Sequence, residues 1–396
     1  MAQGKQFNSA YFQRLLKYCD TEQNKKYVEF LIENNSFNEC SKHFGVADST
    51  VGRSIKRLDH IATKMGDSHV IKYEAPAGFS IDRVSTFVDD EGKVSRQWVI
   101  ANRDKEDLTN AMNEAIIGMC SIAESKYTPI EYNISESKAD MLTSYIIGDH
   151  HHSMLSWHEE TGDDYDMTIS EKLLKGAILH LTSSTQATDQ ALVINCGDWF
   201  HGNDSSNRTP KSGNVLDVDG RLTKIIRTGM MLMVGVIEEC LKKHKTVHVR
   251  NALGNHSFTL EMFMSEFLSA WFRNEPRVVI HNEPKPFWYY QFGGTLLGVT
   301  HGDTIKPTEL GELMAADCTD IWSSTSHRYW ILGHVHSKHS WEMRTCIAES
   351  FNTLAGKDAW HNEHGYRSKR NMTAITYHIK HGEIARNTVD IGALSV

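Results

Sequence analysis

The sequence lacks the features that define several protein classes. Its seven cysteines are scattered and form no C-x-x-C pair. Its net charge of −8 over 396 residues excludes the overall basic charge that is typical of nucleic-acid-binding proteins. The cysteine pattern excludes a disulfide framework and a zinc ribbon. An apolar run of about 18 residues, as a membrane span needs, is missing, and so is the apolar core of a signal peptide in MAQGKQFNSAYFQRLLKY. We therefore expect a cytoplasmic protein with reduced, mostly buried thiols and no membrane partner.

Histidine is the residue in excess. The 22 histidines concentrate after residue 148, which points to metal chemistry in the C-terminal two thirds of the chain. The length is sufficient for two or three domains. We expect boundaries that divide the chain into residues 1–68, 69–138 and 139–396.

The N-terminal segment has the pattern of a helix-turn-helix domain. Ser36 and Glu39 have the spacing of a capping box and predict a helix start. Gly45 interrupts this helix, and Asp48 or Ser49 is expected to cap a second one. In that second helix four apolar residues fall on one face. These are Val51, Ile55, Leu58 and Met65.

The opposite face of the second helix predicts DNA contacts. The first 66 residues carry a net charge of +3, from ten Lys or Arg and seven Asp or Glu. The residue types on the polar face reach base edges and phosphates when a recognition helix lies in the major groove. They are Ser49, Thr50, Arg53, Lys56 and Arg57. The alternative is a small helical bundle for protein contacts, with its charges solvated.

Residues 69–138 read as a connecting region. The segment from 70 to 100 alternates apolar and polar residues around Asp90-Glu91-Gly92, which predicts a β-hairpin. An amphipathic helix is expected from about 104 to 125.

From residue 139 the pattern becomes strand, loop and helix, which predicts an α/β domain. Polar clusters follow five apolar strands, at the strand ends where open α/β sheets place their sites. The clusters are GDHHH at 148–152, GDWFHGND at 197–204, GNH at 254–256, THGD at 300–303 and GHVH at 333–336. Carboxylate, imidazole and amide oxygen together suit divalent ions, and an aspartate that bridges two ions makes a two-metal site.

The five clusters in this order resemble the calcineurin-like metallophosphoesterases, over roughly residues 140–340. The resemblance implies a β-sandwich flanked by helices (αββα) and a site for two divalent ions. One ion would be bound by Asp149, His151, Asp198 and His336. The other would be bound by Asp198, Asn255, His301 and His334, with Asp198 bridging the two.

The resemblance also implies the chemistry of the site. His256 would be the catalytic imidazole beside the scissile phosphate, and a hydroxide that bridges the metals would attack phosphorus. Mixed imidazole and carboxylate ligands favour Mn²⁺, with Mg²⁺, Fe²⁺ or Zn²⁺ as alternatives. His150 and His152 would point away from His151 in an extended segment, so a solvated or packing role is expected for them.

Two details bear on the substrate. The block GDWFH resembles the SbcD-type DNA repair nucleases of this superfamily, which favours a nucleic-acid phosphodiester. Ser257 stands where an acidic residue usually follows G-N-H, and the His301-Gly302-Asp303 form is closer to the phosphatase branches. His201 is expected either to border the site and hold substrate or to pack against the metal-ligand loop. A basic patch at Arg367, Lys369 and Arg370 is expected either to hold phosphate or to be a solvated loop.

Read as D-H-H, residues 149–151 would instead suggest a DHH phosphoesterase. That class needs aspartate-rich metal motifs upstream, which this sequence lacks. The whole chain resembles phage-encoded proteins that join a helix-turn-helix to a phosphoesterase domain, which implies a bacterial host cytoplasm and DNA as partner. A homodimer remains an alternative to a monomer, and the sequence identifies no partner ATPase.

The expected function is therefore a metal-dependent DNA nuclease, with an exonuclease included. One alternative is a phosphatase or a small-molecule or nucleotide phosphodiesterase whose N-terminal unit is an interaction module. A second is a DNA-binding regulator with an idle phosphoesterase fold.

Overall fold

The computed structural model describes residues 9–64, 79–88, 94–103, 128–132, 136–210 and 212–394. The chain divides into two compact units, Met1–Asn110 and Ala111–Val396. The predicted helix at 104–125 and Met65 lie outside the described residues. The predicted domain boundaries stay predictions.

Four helices form the described part of the first unit up to residue 64. They are α1 (Ser9–Leu15), α2 (Glu22–Asn34), α3 (Phe37–Phe44) and α4 (Asp48–Lys64). The predicted cap is present, because the Ser36 side chain accepts a hydrogen bond from the Glu39 N–H at 3.3 Å. Gly45 ends α3 with φ 65°, a conformation that favours glycine. The second cap was misplaced: α4 begins at Asp48, whose carboxylate accepts a hydrogen bond from the Ser41 hydroxyl.

The apolar face predicted for α4 forms the core of this helical unit. Val51, Ile55 and Leu58 are buried among side chains of α1 and α2, including Phe12 and Leu31. After α4, strands β1 (Phe79–Val88) and β2 (Val94–Arg103) pair antiparallel, with Phe79 opposite Arg103. The predicted hairpin is confirmed.

Two sheets form the centre of the second unit. The six-stranded sheet has the order β13-β12-β3-β4-β5-β6, and the five-stranded sheet has the order β10-β11-β9-β8-β7. The first sheet consists of β3 (Lys138–Ile147), β4 (Thr188–Asn195), β5 (Thr246–Asn251), β6 (Val278–His281), β12 (Asn371–His378) and β13 (Gly382–Asp390). The second consists of β7 (Trp288–Phe292), β8 (Thr295–Val299), β9 (His327–Leu332), β10 (His339–Glu342) and β11 (Ile347–Ser350).

Seven α-helices are described in this unit. They are α5 (His158–Thr161), α6 (Met167–Ser184), α7 (Leu222–Leu241), α8 (Phe258–Trp271), α9 (Leu310–Asp317), α10 (Thr319–Trp322) and α11 (Ala359–Glu363). Helices α6, α7 and α8 bury their apolar faces against the six-stranded sheet, and α9 packs on the five-stranded sheet. The two sheets share one core between them, in which Ile146 and Leu192 meet Leu297 and Ile331. The expected α/β architecture, two sheets between helices, is confirmed.

Two expectations from composition can be compared with the described residues. Six of the seven cysteines are described; all six are free thiols, and all except Cys19 are buried. None of the described helices is long and apolar enough to cross a membrane.

Candidate metal centre

The five predicted loops meet at one edge of the two sheets. Strands β3, β4 and β5 are parallel neighbours in one sheet, and β8 and β9 are parallel neighbours in the other. Their carboxyl ends therefore lie together. Two hydrogen bonds join the sheets there: the His301 Nδ1–H donates to the Cys196 carbonyl at 2.9 Å, and the His334 N–H donates to Asp149 Oδ1 at 2.9 Å.

Four predicted ligands have a backbone conformation that non-glycine residues rarely adopt. The φ angle is 45° at His151, 51° at Asp198, 69° at His334 and 51° at His336. Among the described residues, seven non-glycine positions have a positive φ, and four of the seven are predicted ligands. Such strain persists where the surrounding structure holds a side chain in a functional direction.

Asp149, His151 and His336 form the first group of potential ligand atoms. The Nε2 atoms of the two histidines are 3.0 Å apart, and His336 Nε2 is 3.8 Å from Asp149 Oδ1. Two nitrogens each ~2.1 Å from one ion, at a right angle, are separated by ~3 Å. Burial, together with the neighbouring imidazoles, lowers the pKa of both histidines. Both rings are therefore neutral near pH 7, as metal binding requires.

Asp149, Asp198 and His301 form the second group. His301 Nε2 is 3.2 Å from Asp198 Oδ2 and 2.9 Å from Asn255 Oδ1. Since the Nδ1–H of His301 donates to a backbone carbonyl, a neutral ring would direct the lone pair of Nε2 at two oxygens. A cation between these three atoms, or a proton on Nε2, removes the repulsion.

The charges in this group require a positive partner. Burial, and after it the Asp198 charge, raise the pKa of Asp149 to about 7, although His301 opposes the shift. Burial alone would lower the pKa of His301, but the charge and hydrogen bond of Asp198 outweigh it and raise that pKa. Asp149 Oδ2 is buried without a hydrogen-bond partner. A divalent ion would supply the missing positive charge and the missing partner, so these residues fit the metals that the sequence predicts.

His334 is the predicted ligand at the margin of the site. Its ring centroid is 5.1 Å from that of His301, and its side chain is exposed. It belongs to none of the ligand groups found among the described residues. Its role as a ligand stays a prediction, as do those of the other six residues.

His256 lies where a catalytic imidazole could face the substrate. Its backbone N–H donates to Asp198 Oδ1 at 2.7 Å. Its Nδ1–H donates to the His201 carbonyl at 3.0 Å, which leaves Nε2 available. The side chain lines a cavity of about 510 Å³ together with Asp198, Asn255 and His336.

Of the two roles expected for His201, burial favours packing against the metal-ligand loop. The residue is only 1% exposed, which does not favour direct substrate contact. Its Nδ1 is 3.2 Å from His151 Nδ1. If Nε2 of His151 held an ion, its Nδ1–H would donate to His201 Nδ1, and this hydrogen bond would fix the orientation of the ligand ring.

The remaining histidines of the 150–152 run pack away from the metal ligands. His150 Nε2 and His152 Nδ1 lie 2.9 and 3.0 Å from the Ser170 hydroxyl, and His152 Nε2 lies 2.8 Å from Thr228 Oγ1. Both rings are fully buried. Of the two roles expected from the sequence, the structure supports packing and not solvation.

Glu261 completes the site, and the sequence reading missed it. Its side chain, one turn into α8, is fully buried. It accepts hydrogen bonds from the Trp199 N–H at 2.8 Å, the Gly254 N–H at 2.5 Å and the Ser257 hydroxyl at 3.1 Å. This carboxylate ties the loop of Asp198 to the loop of Asn255. It stands four residues after the position where an acidic residue was expected, and that helical spacing is the signal that was available.

Asp358 and His361 were also missed as neighbours of the site. Asp358 caps α11 and lies 2.6 Å from His361 Nδ1, and the His361 ring stacks on His336 with centroids 4.7 Å apart. Burial would raise the pKa of Asp358, but its hydrogen bond to His361 outweighs this and lowers the pKa to about 2. An ionised Asp358 therefore holds the proton of His361 on Nδ1.

The predicted basic patch is divided by the fold. The guanidinium of Arg370 donates to the Leu354 carbonyl at 2.8 and 3.0 Å and lies 3.4 Å from Asp163. Each of its three guanidinium nitrogens thus contacts a protein acceptor, which does not favour the expected phosphate contact. Arg367 and Lys369 are exposed and stay predicted contacts.

The predicted DNA-contact residues lie on the outer side of α4. Ser49, Arg53, Lys56 and Arg57 are exposed and Thr50 is half-buried. The Arg57 guanidinium pairs with Asp20, and Arg53 Nε donates to the Ser49 carbonyl at 3.1 Å. DNA binding stays a prediction.

No family model and no curated protein matches the chain. Among solved structures, a predicted phosphoesterase from Streptococcus pneumoniae is similar at 9% identity and a TM-score of 0.26, over 63% of this chain and 98% of that one. Vacuolar protein sorting 29 from Cryptosporidium parvum is similar at 11% identity and 0.30, over 63% and 98%. The sulfate thiohydrolase SoxB from Thermus thermophilus is similar at 10% identity and 0.31, over 66% and 59%. Scores this low carry no argument about function.

Proposed function

We propose that the chain is a metal-dependent phosphoesterase and that its substrate is DNA. The observation that supports this most is the convergence of Asp149, His151, Asp198, His301 and His336 from four strand ends. Oxygen and imidazole donors of this kind suit divalent ions such as Mn²⁺. Bound there, such ions lower the pKa of water and stabilise negative charge on a phosphoryl group.

The protein's own groups have separate tasks in this proposal. Asp198 belongs to the second ligand group and also accepts the His256 N–H, so it places the catalytic imidazole relative to the ions. The His201 carbonyl holds the proton of His256 on Nδ1. In its imidazolium form His256 also carries a proton on Nε2, which it would donate to the leaving oxygen or share in a hydrogen bond with a phosphoryl oxygen. Glu261 keeps the two loops at their separation.

DNA as the substrate is supported by the GDWFH block and by the N-terminal unit. The exposed face of α4 carries Arg53, Lys56 and Arg57, and such a helix supplies phosphate contacts in DNA-binding proteins. The His301-Gly302-Asp303 form favours a second candidate, a phosphatase or small-molecule phosphodiesterase. In the structure burial lowers the pKa of His334, and the charge of Asp303 opposes that shift.

End-labelled single- and double-stranded DNA and p-nitrophenyl phosphate mono- and diesters test the proposal, each with Mn²⁺ or EDTA. We expect DNA cleavage with Mn²⁺ and none with EDTA. Asp198→Ala should abolish cleavage, and His256→Ala should lower kcat by about 10²–10⁴-fold. His180→Ala, at an exposed position of α6, is the control and should cleave as the wild type does.

The rival functions predict different results. Hydrolysis of the p-nitrophenyl esters without DNA cleavage would replace the nuclease with a phosphatase or phosphodiesterase. Tight, salt-dependent DNA binding without any hydrolysis would support a regulator with an idle fold.

A further inference from the structure

The cavity beside the metal ligands has a second, aromatic wall. Its volume is about 510 Å³, and its lining includes Trp360 and Tyr366 as well as Asp198, Asn255 and His336. Pockets that bind small molecules commonly have volumes of ~300–1,000 Å³. A phosphoester whose phosphate meets the metal ligands would place its remaining part in a cavity that these rings also line.

The rings of this wall are stacked in advance. Trp360 stacks with Tyr366 at a centroid distance of 5.6 Å and an interplanar angle of 23°, and with His364 at 4.3 Å and 27°. His361 links them to the metal site, because it stacks on His336 and meets Tyr366 edge-on at 5.5 Å. The stack thus starts at a predicted ligand and runs outward.

Hydrogen bonds hold the segment that carries these rings. Asp358 accepts from the His361 N–H at 2.7 Å, and the Tyr366 N–H donates to the His361 carbonyl at 3.0 Å. The Asn362 amide donates to the Glu160 carbonyl at 2.9 Å and ties α11 to α5. A preorganised surface loses less conformational entropy when a ligand binds.

The wall is apolar, and the protein leaves it uncovered. Trp360 is 49% exposed and Tyr366 is 46% exposed. Of the ten large hydrophobic side chains that the described residues leave exposed, four line this cavity, the other two being Val215 and Val335. An exposed apolar cluster that borders polar ligands is typical of a binding site.

We infer that Trp360 and Tyr366 form a base-binding subsite, on which a nucleobase of the substrate stacks while its phosphate lies at the metal ligands. The inference deepens the proposed phosphoesterase function and rests on it. Aromatic side chains stack on bases of any sequence, because every base has a π-face. Ser212, Asn214 and Ser337 in the same lining can hydrogen-bond the edge of the base.

The described lining also limits how much of a strand the cavity holds. None of the described residues that line it is lysine or arginine, so a run of phosphates finds no cationic partner among them. The subsite therefore suits one nucleotide beside the scissile bond.

A kinetic comparison tests the subsite. Three substrates are compared. One is a thymidine dinucleotide, and the other two are the same diester with an abasic residue in place of the nucleoside on the 5′ or on the 3′ side of the phosphate. With one of the two abasic diesters, KM of the wild type should rise by about 5- to 150-fold, which corresponds to the ~1–3 kcal/mol of one stacked base. Trp360→Ala should raise KM for the dinucleotide by a similar factor and should leave KM for that abasic diester unchanged. Trp360→Phe should retain most of the affinity, and Trp157→Ala, at an exposed tryptophan outside the lining, should behave as the wild type.

A second measurement is independent of turnover. A single-stranded oligonucleotide that contains 5-iododeoxyuridine is irradiated with the His256→Ala variant and Mn²⁺, and the crosslinked residue is identified by mass spectrometry. We expect crosslinks at Trp360 or Tyr366. Crosslinks only elsewhere, together with equal KM values for the dinucleotide and both abasic diesters, would overturn the subsite. Crosslinks at Trp360 without hydrolysis of any phosphoester by the wild type would retain the subsite and refute the proposed function.

Discussion

Glu261 provides the sharpest test of how this site is held. Its carboxylate accepts three hydrogen bonds, two from backbone N–H groups that belong to the metal-ligand loops. Burial, and after it the charge of Asp198, raise its pKa to about 7. Ionising this carboxylate in place is therefore costly, and the acceptor it provides to the Trp199 and Gly254 N–H groups offsets that cost.

The expected cost follows from those contacts. Glu261→Ala leaves the N–H groups of Trp199 and Gly254 without the acceptor they have now, at ~1–3 kcal/mol each, so the free energy of unfolding should fall by about 2–6 kcal/mol. Glu261→Gln keeps one oxygen acceptor and turns an NH₂ group toward a donor, so it should lose about 1–3 kcal/mol. Metal affinity should fall in the same order, by ~10–100-fold for the glutamine variant.

Urea unfolding in EDTA measures the first effect, and isothermal titration with Mn²⁺ measures the second. Glu266→Gln is the matched control, because Glu266 lies on the same helix, is exposed and contacts Asn282. The control should change neither quantity. If Glu261→Ala has the free energy of unfolding and the Mn²⁺ affinity of the wild type, the carboxylate does not hold the loops together and the prediction is wrong.

Two further predictions concern packing and pH. A Cβ at Gly254 would lie 2.0 Å from Asp198 Oδ1 and 2.2 Å from the Asp198 backbone nitrogen, so Gly254→Ala should weaken Mn²⁺ binding by at least about tenfold; an unchanged titration would contradict this. Gly235→Ala, which meets nothing within 4 Å in α7, is its control and should stabilise the fold by about 0.5–1 kcal/mol without changing affinity. Burial lowers the pKa of His244 to about 4 in the folded protein. As the pH falls, His244 is therefore protonated in the unfolded chain before it is protonated in the folded one. When the pH falls from 7.5 to 5, this difference should lower the free energy of unfolding by about 2 kcal/mol. In urea unfolding, the free energy of unfolding of His244→Gln should fall by about 2 kcal/mol less than that of the wild type over the same pH range. An equal fall in both proteins would contradict the prediction.

The sequence alone was sufficient for the local elements. The 3.6-residue period predicted α4 and the face that it buries, because a helix must bury one continuous stripe. Alternation and turn residues predicted the pairing of β1 with β2. The five strand-end clusters also named the residues that converge, since parallel strands place their carboxyl ends at the same edge.

Only the tertiary structure decided which groups support that site and which do not. Glu261 and His201 are ordinary polar residues in the sequence, and their roles depend on backbone N–H and imidazole partners in loops about 50 or more residues away. The same applies to Arg370, which finds its acceptor at Leu354 instead of remaining a solvated charge. The aromatic wall at 358–366 has no motif, and it meets His336 because the packing of the two sheets places the segment there. Periodicity records which face of an element is buried, whereas the distance between two loops is set by strand pairing and sheet packing, which no local pattern encodes.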